Sequence, residues 1–210
     1  MSTAEFAQLL ENSILSPDQN IRLTSETQLK KLSNDNFLQF AGLSSQVLID
    51  ENTKLEGRIL AALTLKNELV SKDSVKTQQF AQRWITQVSP EAKNQIKTNA
   101  LTALVSIEPR IANAAAQLIA AIADIELPHG AWPELMKIMV DNTGAEQPEN
   151  VKRASLLALG YMCESADPQS QALVSSSNNI LIAIVQGAQS TETSKAVRLA
   201  ALNALADSLI

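Results

Sequence analysis

Apolar residues recur along this chain in helix-sized phrases, and each phrase has a basic or polar residue near its start. The clearest phrase is VRLAALNALADSL, which begins at Val197, and looser copies begin at Ile21, Glu56, Ile111 and Val151. The aligned positions are Arg22, Arg58, Ala112, Lys152 and Arg198, which are 36, 54, 40 and 46 residues apart. Repeats of this length, with apolar positions at helical spacing, indicate an array of stacked helix pairs.

A period of about 40 to 47 residues is typical of HEAT and armadillo repeats. We therefore predict an all-α fold, an α-solenoid of about five HEAT repeats in which antiparallel helix pairs form a right-handed superhelix. The composition agrees, because hydrophobic residues make up 45% of the chain and aromatic residues only 3%. Ala and Leu, both strong helix formers, are frequent. Arrays of this kind bind other macromolecules and are rarely catalysts.

The 54-residue step is too long for one helix pair. Its excess lies at 73–88, where Phe80, Trp84 and Val88 fall on one helical face, so we predict an extra helix there. The chain is then a single HEAT-repeat segment, 1–210. Its predicted repeats are 1–33, 36–71, 89–126, 131–164 and 168–210. Because the chain stops at Ile210 without a C-cap glycine or a polar final helix, we expect further repeats beyond it.

Charge and cysteine content narrow the class of partner and the compartment. A net charge of −5 and a pI of about 5.0 argue against nucleic acid and against a polybasic membrane-binding surface. A single cysteine permits no intrachain disulfide, which fits a reducing compartment. The N-terminus lacks a signal-peptide pattern, and no stretch approaches the roughly 18 apolar residues of a membrane span. We expect a soluble intracellular protein without a membrane partner.

Residues suited to catalysis are scarce. The one histidine, His129, and the one cysteine, Cys163, fall on different predicted repeats. Cys163 stands on an apolar helix beside Met162, which favours a place in the core, and the Pro-His-Gly sequence around His129 favours an exposed turn. No zinc-ligand spacing or glycine-rich phosphate loop is present. We expect no enzyme activity, no cofactor and no metal site.

One candidate binding surface is a stripe along the second helices of the repeats. Counted from the aligned position, Lys66 is at +8, and the same stripe in repeat 1 holds Glu26 and Lys30. In repeats 3 and 4 the stripe holds small or apolar residues, namely Ala116, Ala120, Leu156 and Gly160. If the stripe faces the concave side, it presents charged side chains in repeats 1 and 2 and a smooth surface of small or apolar side chains in repeats 3 and 4. Alternatively, Glu26 and Lys30 are an exposed helix pair worth a few tenths of a kcal/mol.

A second candidate surface lies on the first helix of repeat 5. Six apolar residues stand in a row at 180–185, and one face of an amphipathic helix cannot hide all six. Either a following repeat buries part of this run, or the run is exposed as an apolar groove. The two interpretations are compatible, since a groove between adjacent repeats is half buried.

Several phrases in order resemble the importin-β (karyopherin-β) nuclear transport receptors. LxLKNxL at 63–69 is followed by Gln-Arg-Trp at 82–84, Trp-Pro-Glu-Leu at 132–135, Gly-Tyr-Met-Cys at 160–163 and Gln-Gly at 186–187. The resemblance covers the whole chain, including the extra helix, and is strongest to the N-terminal HEAT repeats of the yeast-type receptors.

This resemblance implies a partner and a set of residues. Members of the family bind the GTP form of the small GTPase Ran through the concave side of their first repeats. In this sequence that role falls on Lys66, Asn67 and Lys72, and the stripe extends it to Glu26 and Lys30. Structural roles remain open: Lys72 suits the negative end of a helix dipole, and Asn67 suits a bond to a neighbouring loop. Trp84 is assigned to packing.

The resemblance also implies binding of phenylalanine-glycine (FG) repeats of nucleoporins between outer helices. Leu181 and Val185, at i and i+4 on one face, are the positions it indicates, and insertion of a phenylalanine between aliphatic side chains gives a weak, reversible contact. Importin-α and cargo are implied only for later repeats outside this chain. The expected locations are the cytoplasm, the nucleus and the nuclear pore in the nuclear envelope.

A structural HEAT scaffold of the phosphatase-scaffold kind, without GTPase binding, is the alternative. Such scaffolds tend toward a regular repeat length, and the uneven steps together with the Leu-Lys-Asn phrase disfavour it. An enzyme is the least favoured class, because site residues are lacking.

Overall fold

The computed structural model describes residues 1–165 and 171–208, and these residues form helices joined by turns, with no strand among them. The helices are α1 Thr3–Leu15, α2 Gln19–Asp35, α3 Phe37–Ile49, α4 Leu55–Asn67, α5 Ser74–Gln87, α6 Pro90–Leu104, α7 Pro109–Glu126, α8 Leu135–Asp141, α9 Glu149–Ser165, α10 Gln171–Ala188 and α11 Lys195–Asp207. A short 3₁₀ helix, Leu127–His129, follows α7.

Local sequence signals explain where helices begin. At α1, Ser2 and Glu5 form a reciprocal capping box, in which the backbone N–H of each residue donates to the side chain of the other. Asp73 accepts the backbone N–H groups of the first turn of α5. Pro90 and Pro109 are the first residues of α6 and α7, where the missing N–H costs nothing and the fixed φ suits a helix.

The first of two compact units spans Met1–Ala103. Within it α1 packs against α2, α3 and α4, and α3 packs against α4. Phe6 and Phe40 meet edge to face with ring centroids 5.6 Å apart, and both are buried. Trp84 on α5 is fully buried, which confirms its predicted role in packing. Helix α5 lies in the segment to which the sequence assigns the inserted helix.

The second unit spans Leu104–Ile210, and α9 lies at its centre between α7 and α11. Small residues allow these helices to approach closely. A Cβ atom built on Gly160 of α9 would lie 3.1 Å from Cα of Ala204 and 2.9 Å from Oδ2 of Asp207, both on α11. The absence of a side chain at this position therefore sets the distance between the two helices.

Helix α7 corrects one expectation. The segment Pro109–His129 is long and apolar enough to cross a membrane by length and composition alone, whereas no such stretch was expected. Of its most apolar window, 78% is buried inside the structure. The alanines of α7 raise its hydropathy and most are buried, and α7 packs against α9, so the helix has the features of a core helix.

The predicted all-α class of packed helix pairs is confirmed for the described residues. The division into five repeats and the handedness of a superhelix stay predictions. The predicted start of repeat 5 at 168 and the chain end at 209–210 lie outside the described residues.

Candidate functional site

All five residues predicted to bind the GTPase lie in the first unit. Glu26 and Lys30 are one turn apart on α2, and both are exposed. Lys66 and Asn67 are the last two residues of α4, with Lys66 half-buried and Asn67 exposed. Lys72 is exposed in the segment that connects α4 to α5. The set therefore occupies the C-terminal end of α4 and the neighbouring part of α2.

An ion pair connects the predicted residues on α2 with those at the end of α4. The Nζ atom of Lys30 lies 2.9 Å from Oε1 of Glu68, the residue that follows Lys66 and Asn67. Lys66 in turn donates to Oδ1 of Asn67 at 3.1 Å. Lys30, which was predicted from the stripe, thus contacts the residue directly after Lys66 and Asn67, which were predicted from the Leu-Lys-Asn phrase.

Glu68 is the residue that the sequence did not single out, and it is the centre of the cluster. Besides Lys30, its carboxylate accepts the hydroxyl of Ser33 at 2.6 Å and Nη2 of Arg83 at 2.7 Å. The same Nη2 donates to the backbone carbonyl of Glu68 at 2.9 Å. Burial opposes ionisation of Glu68, but the hydrogen bonds from Ser33, Arg83 and Lys30 outweigh it, and the pKa of this carboxyl lies below its ordinary value.

Arg83 is fixed by aromatic rings as well as by hydrogen bonds. Its guanidinium carbon lies 4.0 Å from the ring centroid of Phe37 on α3 and 5.0 Å from that of Phe80 on α5. Guanidinium groups stack favourably on aromatic faces. The sequence signal for this residue is its place between Phe80 and Trp84 on the apolar side of α5, where a charged residue needs a partner.

The prediction that the stripe forms an open surface of small residues in repeats 3 and 4 is wrong. Ala116, Leu156 and Gly160 are buried, and Ala120 is 5% exposed. Neighbouring helices cover these positions, since α9 packs against both α7 and α11. Small residues at helical spacing allow the close approach of helices here, so these four positions do not form an open surface.

The apolar run on α10 divides between the core and the surface. Ile180, Ala183 and Ile184 are buried, whereas Leu181, Ile182 and Val185 are exposed. The two predicted positions, Leu181 and Val185, keep 49% and 42% of their surface accessible and share one side of the helix. The other helices of this unit thus bury the first three residues, since α10 packs against α8, α9 and α11. Burial of the exposed residues by a following repeat and their exposure in an apolar groove both stay predictions.

The two residues considered for catalysis, His129 and Cys163, lie on different helices. His129 is exposed at the end of the 3₁₀ helix. Cys163 is half-buried on α9, and burial, followed by the nearby charge of Asp207, raises the pKa of its thiol. A raised pKa favours the thiol, which is a poor nucleophile. No group of three or more His, Cys, Asp or Glu residues suited to a metal ion occurs in the part of the chain that the structure describes.

Comparison with known proteins places the chain in a family. Residues 25–106 match the Importin-beta N-terminal domain family, and this range contains the whole Glu68 cluster. The chain is 43% identical over 195 residues to importin subunit beta-1 of Schizosaccharomyces pombe, a match over 93% of this chain and 22% of that protein. It is 36% identical over 203 residues to importin subunit beta-1 of Arabidopsis thaliana, over 96% of this chain and 23% of that protein.

Solved structures agree with the sequence comparison. A structure in which Kap95p binding induces the switch loops of RanGDP to adopt the GTP-bound conformation matches all of this chain and 24% of its own, with 99% identity and a TM-score of 0.97. A crystal structure of importin β from an ammonium sulfate condition matches 98% of this chain and 24% of its own, with 40% identity and a TM-score of 0.92.

These matches define a helical-repeat protein with an importin-β N-terminal domain. The chain belongs to the importin-β family. It spans about a quarter of the length of the relatives that it matches.

Proposed function

We propose that this chain is the N-terminal part of a nuclear import receptor and that its first unit binds the small GTPase Ran in its GTP form. The observation that carries the proposal is the ion pair between Lys30 and Glu68, the residue directly after Lys66 and Asn67, inside the segment that matches the importin-β N-terminal domain. The near-identical Kap95p chain, solved with RanGDP, supports the choice of partner.

The proposed contacts follow from the chemistry of the half-buried Lys66 and the exposed Asn67 and Lys72. Lys66 and Lys72 supply positive charge for carboxylates of the GTPase, and the exposed Asn67 amide both donates and accepts hydrogen bonds. Glu26 and Lys30 extend the surface along α2. Such contacts fix the register of a protein complex and speed its formation more than they add affinity.

In the complete receptor this binding is coupled to cargo release. A GTPase that prefers one conformation of the receptor weakens any ligand that prefers another. Importin-α and cargo bind the part of the receptor that lies beyond this chain. The receptor moves between cytoplasm and nucleus through the nuclear pore. The chain's part in this process is binding and not catalysis.

The test is binding of this chain to Ran loaded with a non-hydrolysable GTP analogue or with GDP. Lys66→Glu and Asn67→Ala are the site variants, and Lys137→Glu, which changes an exposed lysine of the second unit, is the matched control. We expect tighter binding of the GTP-analogue form, weakened by both site variants and unchanged by the control. Equal binding of the two forms, or site variants that bind like the unmodified chain, contradicts the proposal.

Binding of nucleoporin FG repeats is a second proposed function. It is favoured by one observation, the exposure of Leu181 and Val185 at i and i+4 on α10. Aliphatic side chains in this arrangement offer an apolar surface on which a phenylalanine ring can pack.

A further inference from the structure

The first unit contains two lysine–glutamate ion pairs of similar geometry. Lys30 lies 2.9 Å from Glu68, and Lys54 lies 2.7 Å from Glu11. The lysine side chains are 60% and 69% exposed, and the glutamate side chains are 13% and 11% exposed. In each pair an exposed lysine therefore covers a largely buried carboxylate.

The two carboxylates differ in what else holds them. Glu68 also accepts hydrogen bonds from Ser33 and from Arg83, whose side chain is only 14% exposed. For Glu11 the described residues offer Lys54 as the polar partner. If Lys54 leaves, a largely buried carboxylate stays without a cation, which is costly. If Lys30 leaves, Glu68 keeps a cation and a hydroxyl.

Arg83 cannot take the place of Lys30 as the group that leaves. The stacking on Phe37 and Phe80 and the bond to the backbone carbonyl of Glu68 hold its guanidinium. The ammonium of Lys30, in contrast, ends a flexible four-carbon stem at the surface. Glu68, Arg83 and Lys30 together carry one surplus positive charge.

We propose that Lys30 is an exchangeable cation, which leaves Glu68 to pair with an acidic side chain of the protein bound to the first unit. Arg83 makes this exchange possible, because it continues to neutralise Glu68 after Lys30 has moved. Arg83 is thus a positioning residue that controls the availability of Lys30 without touching the partner. This inference rests on the proposed function, with the GTPase as the partner.

A double-mutant cycle on affinity for Ran loaded with a GTP analogue tests the coupling. We expect Lys30→Ala to weaken binding about fivefold, the size of one solvent-accessible charge pair. Arg83→Met is expected to weaken it about as much, because Glu68 then retains Lys30. The double variant should bind no worse than either single variant. If the loss caused by Arg83→Met persists in full in the Lys30→Ala background, Arg83 acts only on folding and the inference is wrong.

Glu68→Gln distinguishes exchange from a structural role by the sign of its effect. Removing the carboxylate charge frees Lys30, so affinity should stay the same or rise about twofold, and the change should restore binding to Arg83→Met. A Glu68→Gln variant that folds, by circular dichroism, and binds more weakly contradicts the exchange. Lys54→Ala is the matched control, and it should leave affinity unchanged while lowering the melting temperature more than Lys30→Ala does.

Comparison of Lys66→Glu with Lys30→Ala separates the proposed function from the exchange of Lys30. If Lys66→Glu leaves binding unchanged, or the chain does not distinguish the nucleotide forms, the proposed function fails. If Lys66→Glu weakens binding and Lys30→Ala does not, the proposed function stands and the exchange of Lys30 is refuted.

Discussion

A single nitrogen of Arg83 donates to both the carboxylate and the backbone carbonyl of Glu68, at 2.7 and 2.9 Å. Glu68 caps the C-terminus of α4, where backbone carbonyls lack partners within the helix. The guanidinium thus donates both to a backbone carbonyl at the end of α4 and to the largely buried carboxylate of Glu68. Because Arg83 also stacks on Phe37 of α3, it ties α5 to two helices of the first unit.

Glu68→Gln is expected to destabilise the protein at neutral pH by about 1.5–3 kcal/mol, the range for hydrogen bonds to a charged group. The pKa of Glu68 is lowered by folding, so its contribution is present above the unfolded pKa of about 4.3 and is lost as the pH falls through the lower folded value. Urea unfolding of both proteins between pH 7 and pH 3 measures the difference. A difference independent of pH contradicts the assigned ionisation.

Gly160→Ala is expected to destabilise the protein by about 1–3 kcal/mol, because the new Cβ would press on Cα of Ala204 at 3.1 Å. Gly42→Ala is the matched control on α3, where nothing lies within 4 Å of the new Cβ. Alanine there should stabilise the helix by about 0.5–1 kcal/mol. Thermal unfolding of both variants gives the two signs, and a gain at Gly160 would show that α9 and α11 can separate without loss.

Lys152→Ala is expected to cost about 1–3 kcal/mol in unfolding free energy. Its ammonium lies 3.0 Å from Glu192, and both side chains are mostly buried, so the variant leaves a largely buried carboxylate without its cation. Lys137→Ala is the comparison, because Lys137 forms an exposed i, i+4 pair with Asp141 worth about 0.3–0.5 kcal/mol. Denaturant midpoints of the two variants check the contrast, and equal losses contradict it.

Leu181→Ser and Val185→Ser are expected to weaken binding of a peptide that contains a Phe-Gly repeat, with little change in stability. Both side chains are exposed, so their loss removes peptide contacts without opening a cavity. Leu199→Ser, which changes an exposed leucine of α11, is the control. Titration of the peptide followed by NMR gives the affinities. If Leu199→Ser weakens binding equally, the contact is non-specific and the site on α10 is wrong.

Local signals account for most of what the sequence could predict. Helix starts directly after the N-caps Ser2 and Asp73, and at Pro90 and Pro109, follow from capping groups and proline geometry, which act within one turn. The phrase at 63–69 and the ordered phrases that follow it, up to Gln-Gly at 186–187, indicated the family, which comparison confirmed. These features need no knowledge of which helices touch.

The sequence by itself determined the helices and their apolar faces, because hydrophobic periodicity and capping depend on neighbours at most four residues away. It also determined the family, because the characteristic phrases can be recognised in the sequence without the structure. Only the tertiary structure decided that Glu68 meets Ser33, 35 residues before it, and Arg83, 15 residues after it. It also decided that Gly160 is buried and that Leu181 is exposed. The reason is physical: the partners of a side chain between helices depend on how the helices pack, and the spacing along the chain does not contain that information.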